Sequence, residues 1–219
     1  MSVTLPLYHL SKASTIKEKE APLLILLHGY GSHEQDLFSF AQELDDRYTI
    51  LSVRAPHDLA FGGHAWFNID FTPEGIKVYD ESEIQSSLDL LKDFIEKAKV
   101  KYNVGNEKVV LAGFSQGAIL SYLIGLSQPN SIDGILAMSG FIRQNSLTKI
   151  DEEENLKNLS ICITHGTEDP VIPVSQARAS KEYLQTLGLS FDYHEYPMAH
   201  GISPECLSDI IQWTRKQIN

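Results

Sequence analysis

Apolar residues fall in short unbroken runs: Leu23–Leu27, Thr49–Val53, Val109–Ala112, Ile135–Met138, Ile161–Thr164 and Phe191–Tyr196. Most do not alternate with polar residues, so they predict strands covered on both faces, as in a parallel sheet. Val3–Leu10 predicts an additional edge strand. Between the runs the pattern changes to a helical period. From Glu81 to Tyr102 apolar residues recur at Ile84, Leu88, Leu91, Phe94, Ile95 and Ala98, about 3.6 residues apart. Val174, Ala177, Leu184 and Leu187 make a second stripe, ended by Gly188 as a C′ residue. A third helix opens with Ser203 as N-cap and Pro204 in the first turn, and carries Leu207, Ile210, Ile211, Thr214 and Ile218. Ser115–Ser127 predicts another, stopped before Pro129. Strands alternating with helices predict an α/β fold with a mostly parallel sheet. Ligands of such sheets sit beyond the C-terminal strand ends, which is where chemistry is to be sought.

Composition narrows this picture. The 219 residues, without repeat, low-complexity tract or linker, predict a single domain over residues 1–219. The net charge of −11 argues against nucleic acid and anionic membrane surfaces as partners. No apolar stretch is long enough to span a bilayer, and Met1–Lys12 lacks the basic and apolar regions of a secretory signal. Two cysteines, Cys162 and Cys206, make no disulfide framework and read as buried small hydrophobes. The expectation is a cytoplasmic protein without stable membrane insertion. The acidic run Asp151–Glu154 reads as a solvated loop.

The most informative segment is Gly113-Phe114-Ser115-Gln116-Gly117, between the run ending at Ala112 and the helix continuing through Ala118. This is G-x-S-x-G in a strand–turn–helix context. Serine on so sharp a turn takes a strained backbone conformation, and its neighbours two residues away must be tiny for strand and helix to approach. Ser115 is therefore the candidate nucleophile. A hydroxyl needs a base to remove its proton, and the base needs a carboxylate to orient it.

Where this turn occurs, the acid and then the histidine follow the serine in the chain. Of eight histidines, His9, His28, His33, His57 and His64 precede Ser115, and His194 lies inside a strand run. His165 follows a strand but precedes the better acid candidate. His200, in Pro197-Met198-Ala199-His200-Gly201, lies on a loop after the last strand and is the candidate base. The candidate acid is Asp169, with Glu168 as its neighbouring competitor and Pro170 stiffening the turn. An oxyanion needs two preorganised N–H donors. The Gln116 backbone supplies one, and the glycine-rich turn His28-Gly29-Tyr30-Gly31-Ser32 supplies the other, best from Tyr30.

The loop Arg54–Asp80 shows no period and carries Phe61, Trp66, Phe67, Phe71 and Tyr79, with Gly62 and Gly63 as hinges. A structureless loop this long is usually functional. Trp66 and Phe67 either line an apolar acyl pocket, which makes them candidate substrate-binding residues, or tuck the loop onto the core.

Leu27-His28-Gly29-Tyr30-Gly31, the Ser115 pentapeptide, His165–Pro173 and Tyr196–Gly201 together resemble the phospholipase/carboxylesterase family of α/β-hydrolases, which includes acyl-protein thioesterases. The resemblance runs from about Pro22 to the C-terminus. Arg54-Ala55-Pro56 through Ala65-Trp66-Phe67 is similar to the family's aromatic loop near the acyl site. The resemblance implies an α/β-hydrolase fold with helices on both sheet faces and no large cap, since only Gly140–Ser160 separates the strands where a lid is often inserted. It implies Ser115, Asp169 and His200 as a triad and the Tyr30 and Gln116 N–H groups as the oxyanion hole. The implied activity is a serine hydrolase of small-molecule carboxylic esters or thioesters, with no metal or cofactor. Peptidase or lactone hydrolysis on the same fold, or a non-catalytic receptor on a hydrolase scaffold, are the rival readings. Two departures stand out: Asn68 replaces a usual Asp, and Ala118 a common Gly. Nothing in the sequence gives the oligomeric state. With so little inserted into the core, an open groove is expected.

Overall fold

The computed structural model describes residues 3–17, 20–147, 149–151 and 153–219. Its strands are β1 (His9–Lys12), β2 (Leu23–Leu27), β3 (Thr49–Val53), β4 (His57–Asp58), β5 (His64–Ala65), β6 (Ile69–Phe71), β7 (Lys77–Tyr79), β8 (Val109–Phe114), β9 (Gly134–Met138), β10 (Ser160–Gly166) and β11 (Asp192–Tyr196). The helices are α1 (Gln35–Phe38), α2 (Glu81–Lys101), α3 (Gln116–Ser127), α4 (Glu153–Leu156), α5 (Val174–Thr186) and α6 (Pro204–Lys216). Seven strands form one sheet in the order β1-β3-β2-β8-β9-β10-β11. Only β1 runs antiparallel, against β3; the other pairs are parallel.

Every residue of β2 is buried, which is why its run is continuously apolar. Side chains alternate across the sheet. Leu23, Ile25 and Leu27 join a core that includes Ile84, Leu91 and Phe94 of α2, Leu120 and Leu123 of α3, and Leu184 of α5. Leu24 and Leu26 face the opposite way, toward Leu37 of α1 and Cys206, Ile210 and Trp213 of α6. Helices thus cover both faces, and no large cap is present among the described residues. Local signals set the helix ends. The Asp80 carboxylate accepts from the Ser82 and Glu83 N–H groups at the start of α2. Ser203 Oγ accepts from the Cys206 N–H at the start of α6. Gly188, past the end of α5, has a φ of 68°.

Three expectations need correction. The edge strand begins at His9 instead of Val3, because Pro6 has no N–H to donate and pairing starts only beyond it. The loop Arg54–Asp80 is not structureless: β4 pairs with β5 and β6 with β7 as two small antiparallel ribbons. Strands of two or three residues are too short to show a period. The acidic run enters α4 at Glu153, while Glu152 lies outside the described residues.

Parallel strands end on the same rim. The turn after β2, the elbow after β8 and the loops after β10 and β11 therefore converge there. Among the described residues, no helix is long and apolar enough to cross a membrane.

Candidate active site

The elbow is strained as the pentapeptide requires. Ser115 has φ 53° and ψ −112°, a conformation costly for a residue with a Cβ. The turn is closed by the Ser115 N–H donating to Met138 O at 2.9 Å. A Cβ on Gly113 would lie 2.2 Å from Gly117 O, and one on Gly117 would lie 2.1 Å from Leu27 O. Both positions therefore exclude any larger residue.

Ser115, His200, Tyr30 and Gln116 line one groove of about 430 Å³. Behind His200 sits Asp169, its side chain fully buried. His200 Nδ1 lies 2.7 Å from Asp169 Oδ2. The other carboxyl oxygen, Oδ1, accepts from the Val171 and Ile172 N–H groups at 2.8 and 2.9 Å. Asp169 is thus held by its own loop and can turn only one oxygen to the imidazole. Glu168, its competitor, is exposed. The two loops are stitched together, since Thr167 N–H donates to Tyr196 O and Glu168 N–H to Met198 O. The Phe114 ring lies 4.9 Å from that of His200 and limits its swing. Ser115 Oγ and His200 share no hydrogen bond here; in free enzymes such contacts commonly tighten only on substrate binding.

The Tyr30 turn lies against the elbow. A Cβ on Gly29 would be 3.2 Å from Ser115 Cβ. The Gly31 N–H donates to His64 O at 2.9 Å, fixing the turn to β5. The Tyr30 and Gln116 N–H groups have no acceptor among the described residues; Gln116 opens α3, where amides lack an intrahelical partner.

Two residues expected in the substrate site lie elsewhere. Trp66 and Phe67 are both fully buried, members of the core, and do not line the groove. Their backbone instead clasps the elbow. Trp66 N–H donates to Gln116 Oε1 at 3.0 Å, and Gln116 Nε2 donates to Phe67 O at 2.7 Å. The Trp66 indole N–H donates to His28 O at 2.9 Å. The apolar walls come from Ile69, Phe71 and Tyr79 on one side and Ile119, Val171 and Ile172 on the other. Asn68 also faces away: its N–H and Nδ2 both donate to the Glu83 carboxylate. An Asp there would set two carboxylates together, so the departure has a local reason. Ala118 is accommodated by Gly140, whose Cβ would fall 2.4 Å from that of Ala118.

Three further side chains support the site. His28 is buried, with Nδ1 on Gly29 O at 2.8 Å and Nε2 accepting from the Ala55 N–H at 3.1 Å. Burial pushes its pKa down to about 4, despite the opposing hydrogen bond to Gly29 O. It is a neutral strut under the Tyr30 turn. His165 ends a buried strand, donates from Nε2 to Ile172 O at 2.8 Å and lies 3.4 Å from Asp169 Oδ2. Lys77 reaches across the groove, donating from Nζ to Val171 O at 2.9 Å. The groove is open but spanned at this point. His28 and His165 sit in segments the sequence singles out, yet only the fold gives their partners. Among the described residues no group of three or more His, Cys, Asp or Glu side chains could hold a metal ion. Cys162 and Cys206 are free and buried, and burial raises both thiols, Cys206 to about 11.

Comparison with known proteins concerns the family and the fold. The phospholipase/carboxylesterase family profile matches residues 11–218. Acyl-protein thioesterase 1 of Kluyveromyces lactis is 34% identical over 160 residues, covering 70% of this chain and 69% of that protein. Acyl-protein thioesterase 1 of Mycosarcoma maydis is 27% identical over 222 residues, covering 91% and 92%. Among solved structures, the Bacillus cereus carboxylesterase superposes with a TM-score of 0.80 at 22% identity, covering 97% of this chain and 95% of that one. The Zea mays acyl-protein thioesterase 2 superposes with a TM-score of 0.75 at 16% identity, covering 97% and 99%.

Proposed function

The chain belongs to the phospholipase/carboxylesterase family, and on that premise we propose that Ser115, His200 and Asp169 carry its reaction as nucleophile, general base and orienting acid. It is a serine hydrolase of carboxylic esters or thioesters. Ser115 Oγ attacks the acyl carbon while its proton passes to His200 Nε2. Asp169 Oδ2 accepts from the Nδ1–H, fixes the tautomer and stabilises the imidazolium. The oxyanion takes hydrogen bonds from the Tyr30 and Gln116 N–H groups. On collapse the carbon–oxygen or carbon–sulfur bond breaks, and the leaving group departs with the proton from His200. Water then adds to the acyl-serine, giving a proton to His200, and the acid is released as Ser115 regains that proton.

The observation that carries this reading is the strained Ser115 in one groove with His200, whose far nitrogen lies 2.7 Å from buried Asp169. The apolar walls favour an apolar acyl or alcohol portion.

A panel of p-nitrophenyl esters of increasing chain length, run beside an acyl thioester, tests the proposal. Turnover by the wild type and loss of several powers of ten in kcat for Ser115→Ala are expected. Normal turnover by Ser115→Ala overturns the assignment.

A further inference from the structure

Away from Ser115, Gln116 and His200, the groove is lined by aliphatic and aromatic side chains and one cation, Lys77. On the β6–β7 ribbon, Ile69 pairs with Tyr79 and Phe71 with Lys77. These four residues face the groove. The intervening pair, Asp70 and Val78, belongs to the opposite face by the alternation of a strand. Lys77 thus stands on the same wall as the apolar residues that would accept a chain extending from Ser115. Its ammonium is fixed at the crossing by Val171 O, 2.9 Å away, which occupies one of its three donors. Among the described residues it pairs with no carboxylate, in a chain where 29 acidic residues face 18 basic ones. Arg143 offers a contrast. It lies over the Tyr79 ring and is paired with Glu81, so its charge is already matched.

The ribbon also sets a distance. It is tied to the elbow where Gln116 Nε2 meets Phe67 O. The four residue steps from Phe67 to Phe71, strand only from Ile69 on, can span at most roughly 13 Å at about 3.3 Å each. The Phe71–Lys77 pair therefore stays in the same groove as the reacting serine, no further along the ribbon than a medium-length alkyl chain can follow.

We infer that Lys77 makes this site select esters or thioesters carrying an anionic group at the far end of an apolar spacer. The carbonyl sits at Ser115, the spacer lies along Ile69, Phe71 and Ile119, and the anion meets the Lys77 ammonium. This rests on the Ser115 reading and deepens it by naming a substrate class.

The test compares charge at constant shape. On the acyl side, p-nitrophenyl hydrogen suberate is measured against p-nitrophenyl methyl suberate. On the alcohol side, 8-acetoxyoctanoate is measured against methyl 8-acetoxyoctanoate. Wild type, Lys77→Met and Lys77→Arg are compared, with active sites titrated by a fluorophosphonate. The readout is the anionic-to-neutral ratio of kcat/KM, which cancels any general loss in a variant. In at least one arm the ratio is expected to fall about fivefold in Lys77→Met, the size of an exposed ion pair. It should be retained in Lys77→Arg and shrink as salt rises. A ratio unchanged by Lys77→Met in both arms, including an equal fall for both esters, overturns the inference and leaves Lys77 a latch between the walls. Failure of Ser115 to react with the fluorophosphonate would instead refute the underlying catalytic assignment.

Discussion

Acid should loosen the protein through His28 before it reaches the carboxylates. In the fold His28 is buried and its pKa is held near 4, against an ordinary 6.5, mainly because burial penalises the charged imidazolium. The Gly29 carbonyl opposes this, and the nearby His64 adds to it. The geometry gives the same answer, since Nε2 accepts from the Ala55 N–H and a proton there would leave two donors facing each other. Between these pH values the unfolded chain binds a proton that the folded chain refuses. Stability from this group is therefore fully present above about pH 6.5 and falls as pH drops, until the folded histidine also protonates near 4. The gap corresponds to roughly 3 kcal/mol in all, of which about 2 kcal/mol is lost by about pH 5. Glu34 and Asp45 are held near 2 by hydrogen bonds from Arg54 and Arg47, so their stabilisation is lost between the ordinary carboxylate range and about pH 2, mostly below the interval measured. His9, also lowered by burial, shares the window, so the measurement must be a difference. Urea unfolding of wild type and His28→Gln at about pH 7.5 and about pH 5 isolates it, since glutamine offers an acceptor without titrating. The wild type should lose about 2 kcal/mol more than the variant over that interval. Equal losses would refute the reasoning.

Other predictions follow from single contacts. Asp169→Asn keeps an oxygen for the Val171 and Ile172 N–H groups but turns an amide donor to His200, forcing the wrong tautomer. Its kcat should fall roughly ten-thousandfold with little change in KM, and a fall of less than tenfold would remove Asp169 from the triad. Gln116→Met strands a buried N–H of Trp66 and a buried carbonyl of Phe67. It should cost roughly 3 kcal/mol in chemical denaturation, and a loss under about 0.5 kcal/mol would show that the clasp is not needed.

Much of this was legible in the chain. Leu23–Leu27 betrays a strand covered on both faces because no position in it could tolerate water. Gly113 and Gly117 mark the elbow because steric exclusion acts within five residues, and candidates after β8, β10 and β11 can meet because those parallel strands end on one rim. The ribbons at His57–Tyr79 were hidden because strands of two or three residues have no period. The sequence leaves Trp66 and Phe67 between groove and core because an aromatic in a loop can face either, and only the position of α3 and its Gln116 side chain decides for the core. A local motif specifies the Gln116 N–H but not where its carboxamide goes. Lys77 gave no signal, because its importance lies in Val171 O, which is distant in sequence.

The central claim is that Ser115 is a nucleophile activated by His200. It is tested most directly by treating the protein with a fluorophosphonate and locating the adduct by mass spectrometry of the digested chain. One adduct on the peptide containing Ser115, lost in Ser115→Ala and strongly slowed in His200→Ala, is the predicted result. No adduct in the wild type, or one mapped to another residue, would contradict the account.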